Sequence, residues 1–198
     1  MQSNTPIGAP AKTPFIPADE YPQRWQRVQT LMVERDLDLL IAYADDRTTY
    51  GPAHARWLTD FPVMFEPVCV LLRQSGEPIL LCGPESDEYA RMRSRVADVR
   101  VMQEFTHPDE DYPYSKIQSM SEILGETLGN PAQIRRVGVA GRSLMNADLD
   151  AALASRALDM ASLDIEDRVA EARDAGRKSL LLLVRRAGDP RFVALSLE

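Results

Sequence analysis

The first regular alternation of apolar and polar positions begins near Glu20. Trp25, Val28, Leu31 and Met32 recur at helical spacing on one face, with Arg24, Arg27 and Glu34 elsewhere. Asp19 stands where an N-cap is expected. Pro22 is tolerated in a first turn whose backbone donors have no partner inside the helix. Residues 37–43 (LDLLIAY) are short and almost continuously apolar, the pattern of a strand covered on both faces. Two more strands are expected at 67–73 and 78–82, around Gln74-Ser75-Gly76-Glu77. With Ser75-Gly76 as a two-residue turn, Cys69 faces Cys82 directly. Opposed Cβ atoms lie roughly 4.5–5.5 Å apart, whereas a disulfide wants roughly 3.5–4.5 Å. That register predicts two reduced thiols side by side.

Further along, residues 86–95 read as a helix with Tyr89 and Met92 inward, and Val99 and Val101 as a short strand. Ile117, Met120, Ile123, Leu124 and Leu128 form a helical stripe closed by Gly129. Residues 136–140 (RVGVA) read as a strand, and Asn146 as the cap of a helix bearing Leu149 and Leu153. Strands alternating with helices predict an α/β layered sheet, which the 67–82 hairpin makes mixed. From Asp164 the text changes. Ile165, Val169 and Ala172 mark a helix stopped by Gly176; a strand over 179–185, a turn at 187–190 and a last strand over 191–197 follow.

A chain of 198 residues has room for one domain of ordinary size and a small appendage. Its net charge of -7 argues against nucleic acid, which needs clustered cations, and against anionic lipid. No apolar run approaches the ~20 residues of a membrane span, so no membrane partner is expected. Residues 1–17, with Pro6, Pro10, Pro14 and Pro17, read as an irregular arm and carry no apolar signal region. The 2 cysteines exclude a disulfide scaffold and suit a reducing, cytoplasmic setting.

No nucleophile elbow, P-loop or dinucleotide fingerprint is present. The chain holds 2 histidines, His54 and His107. His107, Asp109, Glu110 and Asp111 (in THPDEDYPY) lack helical or strand spacing and read as a solvated acidic loop. Ser143 has no histidine near it in sequence and belongs to a turn. No catalytic residue, metal or cofactor is expected. Asp45, Asp46, Arg47, His54, Arg56 and Trp57 follow the first strand, where α/β sheets commonly place ligand contacts.

The order helix, buried strand, polar loop and aromatic segment Arg56-Trp57-Leu58-Thr59-Asp60-Phe61 resembles the N-terminal domain of creatinase, prolidase and aminopeptidase P. The resemblance covers residues 18–160 and implies a ribonuclease H-like three-layer α/β/α fold. It also implies an accessory domain that serves dimerisation and shapes a substrate entrance. The reaction, hydrolysis of a C–N bond and often an Xaa-Pro bond, then belongs to a separate pita-bread domain. By motif position Arg56 and Trp57, with His54, Arg47 and Asp46 beside them, are the candidates for contact with a second copy or a catalytic domain. Core packing of Trp57, Leu58 and Phe61 is the competing assignment. Asp60 replaces the usual Gly of the motif.

Residues 161–198 resemble the end of a PDZ domain of Do-type (HtrA) serine proteases, in the wording GRKSLLLLVRRAGDPRFVAL. The tail's relatives are exported, so a periplasmic setting is the alternative. The tail is either a remnant joined to the first domain or a helix and hairpin completing its sheet. A stand-alone protein-interaction module, or a truncated composite product, is the alternative function.

Overall fold

The structure, a computed structural model, describes residues 15–48, 50–128, 134–154, 159–163, 165–186 and 189–197. Most of the proline-rich arm, Gly129 and the 187–188 turn lie outside them. In chain order the elements are α1 (Glu20–Glu34), β1 (Leu39–Ala44), α2 (Ala53–Thr59), β2 (Val68–Arg73), β3 (Ile79–Cys82), α3 (Asp87–Arg93) and β4 (Asp98–Met102). Then come β5 (Ile117–Gln118), α4 (Met120–Leu128), β6 (Arg136–Ala140), α5 (Ala147–Ala154), β7 (Asp159–Ser162), α6 (Ile165–Asp174), β8 (Ser179–Arg186) and β9 (Asp189–Ser196).

The first seven strands form one sheet in the order β5-β4-β3-β2-β1-β6-β7. Only β2 runs against the rest, being antiparallel to both β1 and β3. All six residues of β1 are buried, because helices cover both faces of its sheet. Leu40, Ala42 and Ala44 pack with Trp25 and Met32 of α1, Leu58 of α2 and Ala90 of α3. Leu39, Ile41 and Tyr43 pack with Met120, Ile123 and Leu124 of α4 and Leu149 and Leu153 of α5. The result is the expected α/β/α arrangement around a mixed sheet. Asn146 caps α5 as expected, its Oδ1 accepting from the Leu149 N–H at 3.0 Å.

Several expectations are corrected. The hairpin pairs Val68 with Cys82 and Cys69 with Leu81, one residue off the expected register. Gly76 sits at φ 86°, in the left-handed region, so the loop is a residue longer than a tight turn. A one-residue slip reverses every side chain. Cys69 therefore joins the α4–α5 face and Cys82 the α1–α3 face. In α1, Tyr21 and Arg24 are buried while Leu31 is exposed, so the buried stripe is rotated from the one read in sequence. Asp19 is already helical at φ −72° and makes no side-chain cap bond. Met92 is exposed and Ala90 fills the inward position of α3. Ile117 belongs to β5 rather than to the following helix.

β8 and β9 pair along their whole length with each other, from Ser179–Ser196 to Arg186–Asp189, as a separate two-stranded sheet. They do not complete the main sheet. Gly176 at φ 69° ends α6 as expected, its N–H donating to the Arg173 carbonyl at 2.8 Å. Among the described residues no helix is long and apolar enough to cross a membrane.

Candidate functional site

β1 and β6 are adjacent and parallel, yet the chain leaves them toward opposite faces. After β1 it passes to α2, which packs with Leu40, Ala42 and Ala44; after β6 it passes to α5 on the Tyr43 side. Divergent loops at neighbouring carboxyl ends mark the usual ligand position in such sheets.

The loop after β1 is held by its own acids. Asp45 is 2 % exposed; its Oδ1 accepts from the Arg47 N–H at 3.1 Å, while Oδ2 is buried with no hydrogen-bond partner among the described residues. Asp46 Oδ2 accepts from the Phe65 N–H at 2.8 Å, tying this loop to the segment before β2. Phe65 lies at φ 74°, an uncommon conformation for a bulky residue, and its ring is exposed. Tyr43 is buried below the loop; burial first, and the Asp45 charge second, push its phenol up to about 12.

α2 is fixed from its inner side. Leu58 and Phe61 are buried as core, and the Leu58 carbonyl accepts from Trp25 Nε1 at 2.8 Å. Thr59 Oγ1 donates to the Ala55 carbonyl at 2.7 Å and accepts from the Phe61 N–H at 3.1 Å. Asp60 adopts φ 61° and ψ 0° at the helix end, the left-handed conformation that a glycine supplies and that Asp tolerates. The substitution in the motif thus preserves the turn, and Asp60 adds an ion pair to Arg95 at 3.1 Å.

Of the sequence candidates, Asp46 and Arg47 hold the loop through the contacts above. His54, Arg56 and Trp57 are exposed on α2. Trp57 is therefore not core, which corrects that assignment. It is 43 % exposed, and its ring lies over the Arg24 guanidinium, 5.2 Å from the ring centroid. Arg24 also lies 4.9 Å from the Tyr21 ring and donates from Nη1 to the Trp57 carbonyl at 2.8 Å. His54 and Trp57 wall an apolar cavity of about 380 Å³ floored by Leu40, Ala42, Ala140 and Leu163. The sequence pattern marks neither Arg24 nor Phe65: a charge reads as lying off the buried face, and nothing in the pattern distinguishes a left-handed Phe.

The other chemistry weighed in the sequence lies apart. Ser143 is in a short 3-10 turn, Arg142–Leu144, after β6. His107, Asp109, Glu110 and Asp111 are exposed, with the Tyr112 hydroxyl donating to Glu110 Oε2 at 2.9 Å. Among the described residues no group of three or more His, Cys, Asp or Glu side chains is arranged to hold a metal ion.

Residues 24–173 match the family model of the Creatinase/Prolidase N-terminal domain, and the chain belongs to that family. The match runs past residue 160 into α6, and leaves β8 and β9 outside. Among solved structures the chain is similar to a proline dipeptidase from Streptococcus agalactiae, with 12% identity and a TM-score of 0.50 over 74% of this chain and 97% of that one. It is also similar to dipeptidase PepE from Mycobacterium ulcerans, with 17% identity and a TM-score of 0.50 over 81% of this chain. Only 38% of the PepE chain is spanned. At these identities the likeness is one of fold. No curated protein matches the sequence.

Proposed function

We propose that this is a non-catalytic accessory domain of a creatinase/Xaa-Pro peptidase-like hydrolase, associating with a second copy and narrowing a substrate entrance. The observation that carries the reading is Trp57. A large aromatic ring stands at the surface against the Arg24 guanidinium, beside an apolar cavity, with the cations of Arg56 and Arg47 nearby in sequence. Trp and Arg dominate the energetics of protein interfaces. The similarity to a proline dipeptidase and to a dipeptidase supports a dipeptide bond as the substrate of the parent activity. We further infer that β8 and β9 form an appended unit, the PDZ-like remnant, since among the described residues they pair only with each other and they lie beyond the matched span.

Sedimentation velocity of the full chain across a concentration series tests the association. A dimer is expected for wild type, with Trp57→Ala and Arg56→Glu shifted toward monomer. Wild type that stays monomeric throughout contradicts the reading.

A further inference from the structure

The recess beside α2 lies over the interior strands β1 and β6. Leu40, Ala42 and Ala140 floor it, and Val28, His54 and Trp57 wall it, around a volume of about 380 Å³. Among its described lining residues none carries a carboxylate or a guanidinium. Roughly 150 Å³ of apolar cavity suffices to bind benzene, so about two side chains of that size fit. An apolar hollow walled by aromatic rings is the chemistry that receives proline-rich segments, whose extended helix is already formed and loses little entropy on docking.

The chain carries such a segment within reach. Residues 1–14 lie outside the described residues, and they contain Pro6, Pro10 and Pro14. From Thr5 to Ala11 (TPIGAPA) no residue is charged, and Ile7 is the branched apolar side chain at its centre. The arm meets the body at Phe15 and Ile16, both exposed, and a turn follows in which the Glu20 N–H donates to the Pro17 carbonyl at 3.1 Å. Val28 then lies ~12 Å along α1 from Glu20, at ~1.5 Å per residue. In polyproline geometry, at ~3.1 Å per residue, Ile7 reaches ~25 Å from Phe15. That covers the rise along α1 and the turn before it.

We propose that the Pro6–Pro10 stretch of the chain's own N-terminal arm docks in the His54–Trp57 recess, with Ile7 inserted. The tether places the segment at an effective concentration in the mM range, so a contact too weak to hold a free peptide is occupied. Charge favours the arrangement: Lys12 is the one charged residue of 1–17, a cation on a chain of net charge -7. The arm then serves as a built-in cover that closes the recess to outside segments. This goes beyond the association proposed above, which uses the exposed part of the Trp57 ring and needs a second copy.

The first test is trypsin cleavage of the full chain after Lys12, followed by the mass of the released 1–12 fragment. Docking protects this bond, and cleavage tracks the undocked population. Ile7→Asp, outside the folded body, is expected to speed cleavage at least tenfold. Ala53→Leu fills the recess from an exposed position of α2 and is expected to do the same with the arm unchanged. The second test pairs Ile7→Cys with Ala53→Cys under mild oxidation, the native Cys69 and Cys82 being buried. A disulfide within one chain is expected, and little with Tyr114→Cys in place of Ala53→Cys, since Tyr114 precedes β5 at the far edge of the sheet. Wild type cleaved as fast as Ile7→Asp overturns the docking. Protection that Ala53→Leu leaves intact places the arm elsewhere and overturns the recess as its seat. A disulfide joining two chains shows a second copy's arm in the recess and overturns the cover within one chain.

Discussion

Arg24 is clasped by Trp57: its Nη1 donates to the Trp57 carbonyl at 2.8 Å, and its guanidinium lies 5.2 Å from the centre of the same residue's ring. The contact joins α1 to α2 across 33 positions of sequence and uses the planarity of the guanidinium as well as its charge. Arg24→Ala is expected to lower stability by about 2 kcal/mol in urea denaturation, from the lost stacking and the orphaned carbonyl. Arg24→Lys keeps the charge but cannot stack on both rings, and recovers less than half. The emission of Trp57 shifts red in both. Equal stability of Arg24→Lys and wild type would contradict the stacked geometry.

Asp60 supplies the left-handed helix end that the motif elsewhere gives to glycine. Asp60→Gly is expected to fall within about 1 kcal/mol of wild type, since easier backbone geometry offsets loss of the exposed Arg95 pair. Asp60→Val places a β-branched residue at φ 61° and costs about 2 kcal/mol. Thermal melts of the two variants decide it, and similar melting temperatures would count against the turn.

Asp38 fastens β6 to the chain entering β1. Its Oδ2 accepts from the Arg136 N–H at 2.9 Å and the Arg135 N–H at 2.8 Å, and these bonds hold its carboxyl below the usual range. A depressed folded pKa gives stability that is present above the unfolded carboxyl value and lost as pH falls through the folded one. Asp38→Ala is therefore expected to cost about 2 kcal/mol at neutral pH. The gap to wild type closes below about pH 4. A gap independent of pH would show that the carboxylate charge is not what matters.

The thiols should be silent in the native protein. Burial pushes Cys82 up to about 12, with the charges of Asp87 and Glu66 adding to it, and burial raises Cys69 as well. Neither reacts with a thiol-specific disulfide reagent at pH 8 until denaturant opens the sheet. Oxidation does not join them, because they lie on opposite faces of β2 and β3. Rapid native labelling of either would place that strand elsewhere.

Glu66 is 2 % exposed and caps the start of α3, accepting from the Ser86 N–H at 2.8 Å and the Glu85 N–H at 3.3 Å. Gly83 leaves the space: a Cβ there would collide with the Glu66 carboxylate. Glu66→Ala is expected to cost about 2 kcal/mol and Gly83→Ala a comparable amount. The double variant costs less than the sum, because the collision disappears with the carboxylate. Additive losses in a denaturation cycle would disprove the contact.

The sheet was legible where burial leaves a one-dimensional trace. β1, β6 and the helix capped by Asn146 could be read because two-sided burial and local capping act on consecutive residues. The β2–β3 register was not, since it depends on whether Gly76 extends the loop, which composition does not reveal. The burial of Arg24 was invisible because a charge reads as solvent-facing until two aromatic rings are placed around it. The motif marks Trp57, but the apolar pattern does not reveal that its ring is half-exposed against Arg24. The left-handed Phe65 leaves no trace in the apolar pattern at all.

The accessory reading is tested most directly by incubating the purified full chain with an Xaa-Pro dipeptide, with and without manganese, and measuring free proline. Release no greater than in buffer is expected under either condition. Metal-dependent release that a chelator abolishes would contradict it.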